Sequence, residues 1–252
     1  ISHLDKRVET FTSTGDASNL GGGAHCQDLR FWFSYIWSQE VSRWANLPKK
    51  HPDKIHINLL EFVVALIQLA ATITRLEAPV PSALEGAFPN GYPAILILLC
   101  RTDNMSTKCW AKKVSSSSSA AQGLLALLAS LLRRTSCGFT SEWLAGSLNG
   151  TADLLSRPDL TISSTAFCAQ IYQKVPELNS WNLFHPAPEF TLLLEHLLCS
   201  SAWQGDLSLP SSFGLFAAAG SYFLFCHAVG LSDNLLLVNV QQARHNAQMA
   251  LY

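Results

Sequence analysis

One apolar segment, Ala-Ile-Leu-Ile-Leu-Leu-Cys at residues 94–100, constrains the fold more than any other stretch of this 252-residue chain. It is short, continuously apolar and preceded by proline, a pattern typical of a central strand buried on both faces of a sheet. The segment ends at Arg-Thr-Asp-Asn, so the polypeptide leaves the core at a carboxylate, Asp103. These features predict a layered α/β fold with helices packed on a sheet.

The rest of the first 160 residues provides the neighbours that such a strand needs. Short β-prone segments bounded by glycine predict strands, and apolar segments with helical spacing predict helices. The predicted strands are residues 11–18, 23–26, 30–37, 94–100 and 139–144. The predicted helices are residues 59–73 with Asn58 as the cap, a segment directly after Asn104, residues 120–134 ended by Gly138, and residues 151–156.

Composition narrows the class of protein. Of all residues 48% are hydrophobic and 14% are charged, which is enough apolar material for a sizeable core and argues against a disordered chain. The net charge is −1, so any surface for nucleic acid has to be local. Basic residues do group before the helix 59–73 and after Asp103. They are Arg43, Lys49, Lys50 and Lys54, followed by Lys108, Lys112 and Lys113.

Cysteine usage and the chain termini bear on location. The seven cysteines are scattered and never spaced as C-x-x-C, which favours reduced thiols in an intracellular protein without a zinc site. The chain starts with isoleucine and shows no signal-peptide pattern, so we expect a piece of a longer chain. The longest apolar run, residues 213–231, is interrupted by His227 and lacks flanking basic anchors, so we expect no membrane partner.

Acidic residues are scarce, and four of them occupy positions where they can converge. Asp16 lies near the end of the first strand and Asp103 at the end of the buried strand. In a parallel pair those two ends are neighbours, in the crevice where α/β folds place ligands. Glu61 lies in the predicted first turn of an apolar helix, where a solitary carboxylate needs a partner. Asp153 opens the short helix after the last strand.

Carboxylates that crowd together must take up protons or bind cations. An all-oxygen cluster suits hard cations, so Mg²⁺ or Mn²⁺ is expected rather than zinc or copper. Two such ions roughly 3.5–4 Å apart stabilise the attacking and leaving oxygens of a phosphoryl displacement. For each acid taken alone, a capping or surface role is the alternative.

Four sequence blocks resemble, in order, the acidic motifs of the ribonuclease H domain of retroelement reverse transcriptases. They are T-G-D-A-S at 14–18, N-L-L-E at 58–61, T-D-N-M-S at 102–106 and G-S-L-N-G-T-A-D-L-L-S-R at 146–157. The last block, G-x-x-N-x-x-A-D-x-L-S-R, is the most specific. The resemblance covers about residues 10–160 and is greatest to DIRS-like elements, with related LTR-type retrotransposons as the wider group.

The resemblance implies a fold, a substrate and roles for the acids. The fold is a five-stranded mixed sheet in the order 3-2-1-4-5 with helices on both faces, and the substrate is the RNA strand of an RNA–DNA hybrid. Asp16 bridges two Mg²⁺ ions, with Mn²⁺ as a substitute, and Asp153 helps to hold the ion that activates water. Glu61 and Asp103 hold the ion on the leaving-group side, with Glu61 near a ribose 2′-hydroxyl.

Substrate contacts are expected at Ser18, Asn104 and Lys108. Many family members have histidine just before the G-x-x-N turn, where this chain has Trp143. No polymerase Y-x-D-D motif is present, so we expect that this chain does not itself copy nucleic acid. The resemblance implies that it follows a polymerase domain of the same polyprotein.

The predicted organisation has four parts: residues 1–10 link to the upstream polymerase region, 11–160 form the ribonuclease H-like domain, 161–200 connect, and 201–252 form a mainly helical extension. The predicted function is hydrolysis of the RNA strand of hybrids during reverse transcription. One alternative is a catalytically inactive module of the same fold that binds nucleic acid or supports the polyprotein. Another is a different nuclease of this fold, such as a transposase or exonuclease.

Overall fold

A mixed six-stranded sheet organises the described part of the chain. The computed structural model describes residues 11–77, 96–113, 119–134 and 137–199. The sheet has the order β5-β4-β1-β2-β3-β6, and helices cover both of its faces, which confirms the predicted α/β class. The strands are β1 (Phe11–Ala17), β2 (Gly21–Cys26), β3 (Phe31–Ile36), β4 (Leu96–Thr102), β5 (Cys137–Trp143) and β6 (Asn182–Leu183).

The predicted buried strand lies inside the sheet. β4 pairs in parallel with β1 on one side and with β5 on the other, and residues 97–100 are all buried. β2 and β3 continue the sheet from β1 as an antiparallel hairpin. The parallel pairing of β1 and β4 brings their carboxyl ends to one edge of the sheet, as expected from the sequence.

The sheet differs from the predicted five-stranded order 3-2-1-4-5 by a sixth strand at the β3 edge. Asn182 and Leu183 pair in parallel with Phe31 and Trp32. A strand of two residues is too short for any alternation of apolar and polar residues to show in the sequence. Its partner strand, β3, lies far away in the sequence, so the local residue pattern could not predict the pairing.

Seven helices and two short 3₁₀ segments are described. The helices are α1 (Gln39–Ala45), α2 (Ile57–Glu77), α3 (Met105–Lys113), α4 (Ser119–Arg134), α5 (Gly150–Ser156), α6 (Ser164–Lys174) and α7 (Pro188–Cys199). The 3₁₀ segments are Gly146–Leu148 and Pro176–Ser180. α2 begins at Ile57, so Asn58 lies inside it and Glu61 is not in its first turn. Gly138 belongs to β5 and does not end α4.

Glycines in β1 and β2 allow helices to pack closely on both faces of the sheet. A Cβ at Gly15 would lie 1.7 Å from the Gln68 amide nitrogen of α2. On the opposite face, a Cβ at Gly23 would lie 2.4 Å from the backbone of Leu155 in α5. The two helices that carry Glu61 and Asp153 are thus fixed to the sheet at glycine contacts.

Helix α2 is the central core helix. It is long and apolar enough to cross a membrane, but 83% of that apolar window is buried in the protein. Side chains such as Phe62, Leu66 and Leu69 have no exposed surface. Its apolar composition is therefore explained by packing between the sheet and the neighbouring helices.

The segment predicted as a connection packs against the sheet and helices that precede it. β6 extends the sheet, and α7 contacts α4 and α1. The Glu195 carboxylate of α7 accepts hydrogen bonds from the Tyr35 hydroxyl at 2.9 Å and from the Ser38 backbone N–H at 3.1 Å. The predicted linker 1–10 and helical extension 201–252 lie outside the described residues, as does the apolar run 213–231.

Candidate metal centre

Three acids from three separate elements meet at the shared carboxyl edge of β1 and β4. Asp16 is the penultimate residue of β1, Asp103 directly follows β4, and Glu61 reaches the edge from α2. One carboxylate oxygen of each lies within 4.8 Å of the others. Asp16 and Glu61 are only 5% and 4% exposed, whereas Asp103 is open to solvent. The edge thus forms an acidic triad with one accessible side.

Neutral donors hold Glu61 in this position. Its Oε1 accepts the Ala17 backbone N–H at 3.2 Å, and its Oε2 accepts the Thr102 hydroxyl at 3.3 Å. Burial and the neighbouring Asp16 carboxylate raise the pKa of Glu61 to about 8. The two hydrogen bonds oppose that shift but do not outweigh it. Without a cation, Glu61 is therefore largely protonated at neutral pH.

Asp16 is held mainly by a hydroxyl from α5. Ser156 Oγ donates to Asp16 Oδ2 at 2.5 Å, and the Asn149 side-chain amide lies 3.5 Å from Oδ1. Burial raises the pKa of Asp16 to about 6, against the lowering effect of the Ser156 hydrogen bond. The carboxylates of Asp103 and Asp153 raise it further. The neighbouring carboxylates thus make Asp16 harder to ionise.

The donor set of the triad fits a metal ion. No lysine or arginine among the described residues forms an ion pair with Asp16, Glu61 or Asp103. Burial is the main cause of the raised pKa values of Asp16 and Glu61, and the neighbouring carboxylates add to it; a bound cation would favour the ionised carboxylates. Carboxylate oxygens are ligands preferred by hard cations. The cluster can therefore hold a metal ion.

Asp153 lies apart from the triad. It is in the first turn of α5, as predicted, but its Oδ1 is engaged by Arg157 one helical turn later, at 2.6 Å from Nη2 and 2.8 Å from Nε. Its charge still acts on Asp16, whose pKa it raises. The structure thus brings three of the four predicted acids together and places the fourth beside them in an ion pair.

Asn149 and Ser156 belong to the site although only the acids were singled out from their motif. Asn149 is 2% exposed, and its amide nitrogen donates to the Gly15 carbonyl at 3.3 Å. Its amide oxygen is buried and has no hydrogen-bond partner among the described residues. Their presence in the G-x-x-N-x-x-A-D-x-L-S-R block was the available signal. What the block does not show is that both side chains turn toward Asp16.

Ser18 serves the turn after β1. It is buried, and its hydroxyl donates to the Ser156 carbonyl at 2.6 Å and accepts the Leu20 N–H at 3.0 Å. These bonds tie the β1–β2 turn to the end of α5. The Ser18 hydroxyl therefore stabilises this turn. A contact between Ser18 and substrate stays a prediction.

Asn104 caps α3. Its Oδ1 accepts the Thr107 N–H at 3.0 Å, and its Nδ2 donates to Asn58 Oδ1 at 2.9 Å, which ties α3 to α2 beside Asp103. Lys108 is half-buried one turn further along α3. Contacts of these two side chains with substrate stay predictions.

Trp143 occupies the position where histidine was noted in the resemblance. Its side chain is 46% exposed, and its indole N–H donates to the Asp103 backbone carbonyl at 3.1 Å. Trp143 therefore helps to fix the backbone at Asp103, and its indole cannot accept or release a proton as imidazole does.

Comparison of this chain with known proteins identified no similar protein. No protein-family model, no curated protein and no solved structure matches this chain. A proposal about function therefore depends on the motifs and on the geometry of the acidic triad.

Proposed function

We propose that this chain is a metal-dependent ribonuclease H that hydrolyses the RNA strand of RNA–DNA hybrids as part of a retroelement polyprotein. The observation that carries the proposal is the convergence of the Asp16, Glu61 and Asp103 carboxylate oxygens within 4.8 Å of one another. These are three of the acids that the four ordered motifs single out. The β3-β2-β1-β4-β5 part of the sheet is compatible with a ribonuclease H-like fold.

Two Mg²⁺ ions, with Mn²⁺ as a substitute, are the proposed cofactors, and the all-carboxylate ligand set supports a hard cation. Asp16, Glu61 and Asp103 would hold one ion, and Asp16 with Asp153 would hold the other. Bound ions supply positive charge that activates water and stabilises the leaving oxygen of the cleaved phosphodiester.

The chain's own residues position these carboxylates. Ser156 fixes the Asp16 carboxylate, whereas Thr102 and the Ala17 backbone N–H fix that of Glu61. The rigid strands beneath them limit how far the oxygens can move when a cation binds. A site on strand ends and a core helix is therefore ready for a cation without large rearrangement.

The polyprotein setting gives the expected partners. An upstream polymerase domain would deliver the hybrid, and local basic residues such as the exposed Lys49 and Lys50 would contact its phosphates. Lys54 is less suited to that task because its ammonium group donates to the Ala45 and Leu47 carbonyls. Cleavage of the hybrid would take place inside the cell, without a membrane partner.

The decisive experiment is cleavage of a labelled RNA–DNA hybrid by the full chain with Mg²⁺, beside the Asp16→Asn variant. Asp28→Asn is the matched control, since Asp28 is an exposed acid in the β2–β3 turn at the other end of the sheet. We expect cleavage by the wild type and by Asp28→Asn, and a loss of at least about 100-fold with Asp16→Asn.

Substrate controls separate the proposal from its rivals. Duplex DNA and single-stranded RNA of the same sequence should remain uncut. Equal cleavage by wild type and Asp16→Asn would remove the catalytic assignment. Binding of the hybrid without any cleavage would favour the inactive nucleic-acid-binding module, and cleavage of duplex DNA instead would favour a different nuclease of this fold.

A further inference from the structure

We propose that Arg157 acts as a built-in cation of this site, holding Asp153 in the metal-free chain so that a second metal ion must compete with it for Asp153. The inference deepens the proposed function and rests on it. It gives Arg157 a positioning role: its guanidinium group holds the Asp153 carboxylate.

The contact between Arg157 and Asp153 is specific. Two nitrogens of the guanidinium, Nε and Nη2, both approach the same oxygen, Asp153 Oδ1, at 2.8 and 2.6 Å. Asp153 lies in α5 and Arg157 directly follows its last residue, and the spacing of four residues places both side chains on the same side of the helix. Asp153 Oδ1 is thus already occupied by positive charge.

The Asp153 carboxylate acts electrostatically on Asp16, and one hydroxyl contacts both residues. Ser156 Oγ lies 2.5 Å from Asp16 Oδ2 and 2.9 Å from the Asp153 backbone carbonyl, so one hydroxyl joins the two acids' surroundings. The same turn of α5 therefore carries the ligand, the hydroxyl that fixes Asp16 and the arginine.

Asn149 gives independent evidence that this side of Asp16 is built for a ligand. Its buried amide lies against Asp16, and its oxygen atom has no hydrogen-bond partner among the described residues. Buried polar oxygens without partners are rare, because leaving one unsatisfied is costly. A cation with its bound water would offer Asn149 a donor.

Charge is distributed unequally between the two halves of the site. The Asp16–Glu61–Asp103 half has no ion pair with a basic side chain of the described chain, whereas the Asp16–Asp153 half has Arg157. A first cation therefore binds at the triad. A second one meets both the guanidinium charge and an occupied Asp153 oxygen, so it binds more weakly.

Displacement of Arg157 is inexpensive. The Arg157 and Asp153 side chains are 61% and 48% exposed, and water can replace either partner. Exposed ion pairs of this kind contribute little to stability, and their loss corresponds to a change of about two- to five-fold in an equilibrium constant. Arg157 thus tunes the second site without blocking it.

The test counts and ranks bound cations directly. Mn²⁺ is titrated into the full chain in the absence of nucleic acid, and free Mn²⁺ is measured by electron paramagnetic resonance. With Arg157→Gln, the half-saturation concentration of the weaker site should fall about two- to five-fold, or a second ion should appear where the wild type binds one. The tighter site should change less than the weaker one, because Arg157 acts on Asp16 without forming an ion pair with it, and Arg157→Lys should behave as the wild type.

A matched arginine separates contact from general charge. Arg101→Gln also removes an exposed guanidinium, one paired with Glu142 at 3.1 Å, but leaves Asp153 untouched. An unchanged weaker site in Arg157→Gln, or an equal shift in Arg101→Gln, would overturn the role of Arg157. Because this readout needs no cleavage, an inactive chain with the expected Mn²⁺ shift would refute the nuclease and leave the Arg157 result standing.

Discussion

Ser156 Oγ donates a 2.5 Å hydrogen bond to Asp16 Oδ2 and so joins two residues that lie 140 positions apart in the chain. The bond connects the last residue of α5 to the end of β1 inside a buried environment. It is the main interaction that favours the ionised form of Asp16 against the effect of burial. The readiness of Asp16 for a cation therefore depends on how α5 sits on the sheet.

Ser156→Ala tests this dependence. Removing the hydroxyl leaves Asp16 Oδ2 without its donor, so we expect the pKa of Asp16 to rise further and Mn²⁺ affinity at pH 7 to fall several-fold. The free energy of unfolding should fall by about 1–3 kcal/mol, the cost of an unsatisfied buried partner. Calorimetric Mn²⁺ titration and thermal unfolding measure the two effects.

A second serine supplies the control for Ser156→Ala. Ser163 accepts the Ala166 N–H as the cap of α6, so Ser163→Ala should lower stability by about 0.5–2 kcal/mol. It should leave Mn²⁺ affinity unchanged. Equal losses of affinity in both variants would mean that general destabilisation, and not the bond to Asp16, weakens the site.

Stability of the metal-free protein should fall as the pH rises. The folded chain keeps a proton on Glu61 up to a pKa of about 8, whereas the unfolded chain releases it near the ordinary glutamate pKa of 4.5. The native state thus binds more protons across that interval, and its stability declines from about pH 4.5 to about pH 8. Asp16, with a pKa of about 6, adds to the decline at its lower end.

Glu61→Gln checks the origin of that pH dependence. The amide cannot ionise, so urea unfolding in the presence of a chelator should show a flatter decline above pH 6 than the wild type. Glu40→Gln changes an exposed acid in the first turn of α1 and should retain the wild-type slope. A slope unaffected by Glu61→Gln would show that other groups cause it.

Adding Mg²⁺ at pH 8 should reverse the loss of stability. A cation that binds only the folded chain adds about 2.7 kcal/mol at a concentration 100-fold above its dissociation constant. The melting temperature should therefore rise with Mg²⁺, and Asp103→Asn should reduce the rise because it removes the exposed ligand of the triad. An identical rise in that variant would place the bound ion elsewhere.

The sequence predicts the parts of this site that depend on strand ends. Asp16 lies near the end of one β-prone segment and Asp103 directly follows another, and their meeting requires only that β1 and β4 pair in parallel. The ion pair of Asp153 with Arg157 was not predicted, because Arg157 lies just beyond the helix that carries Asp153 and only the structure shows the two side chains in contact.

Other parts could not be predicted because they depend on packing between distant segments. The donors to Asp16 come from a helix whose placement is set by the contact of Gly23 with Leu155. The pairing of β6 depends on Asn182 and Leu183, two residues without a pattern of their own. Local propensity contains neither kind of information.

Gly23→Ala tests whether the position of α5 on the sheet affects metal binding at the candidate site. The new Cβ would lie 2.4 Å from the Leu155 backbone carbon and 2.7 Å from its carbonyl oxygen, and backbone cannot give way as a flexible side chain does. α5 must therefore shift and carry Ser156 away from Asp16. We expect a loss of about 1–3 kcal/mol in stability together with weakened Mn²⁺ binding.

Gly150→Ala separates this effect from a change in α5 itself. A Cβ at Gly150, the first residue of the same helix, meets nothing within 4 Å, and alanine favours helix more than glycine does. Stability and Mn²⁺ affinity should therefore match or slightly exceed those of the wild type. If Gly23→Ala loses stability but keeps full Mn²⁺ affinity, the close packing of α5 on the sheet contributes to stability only. The hydrogen bond between Ser156 and Asp16 would then persist when α5 shifts.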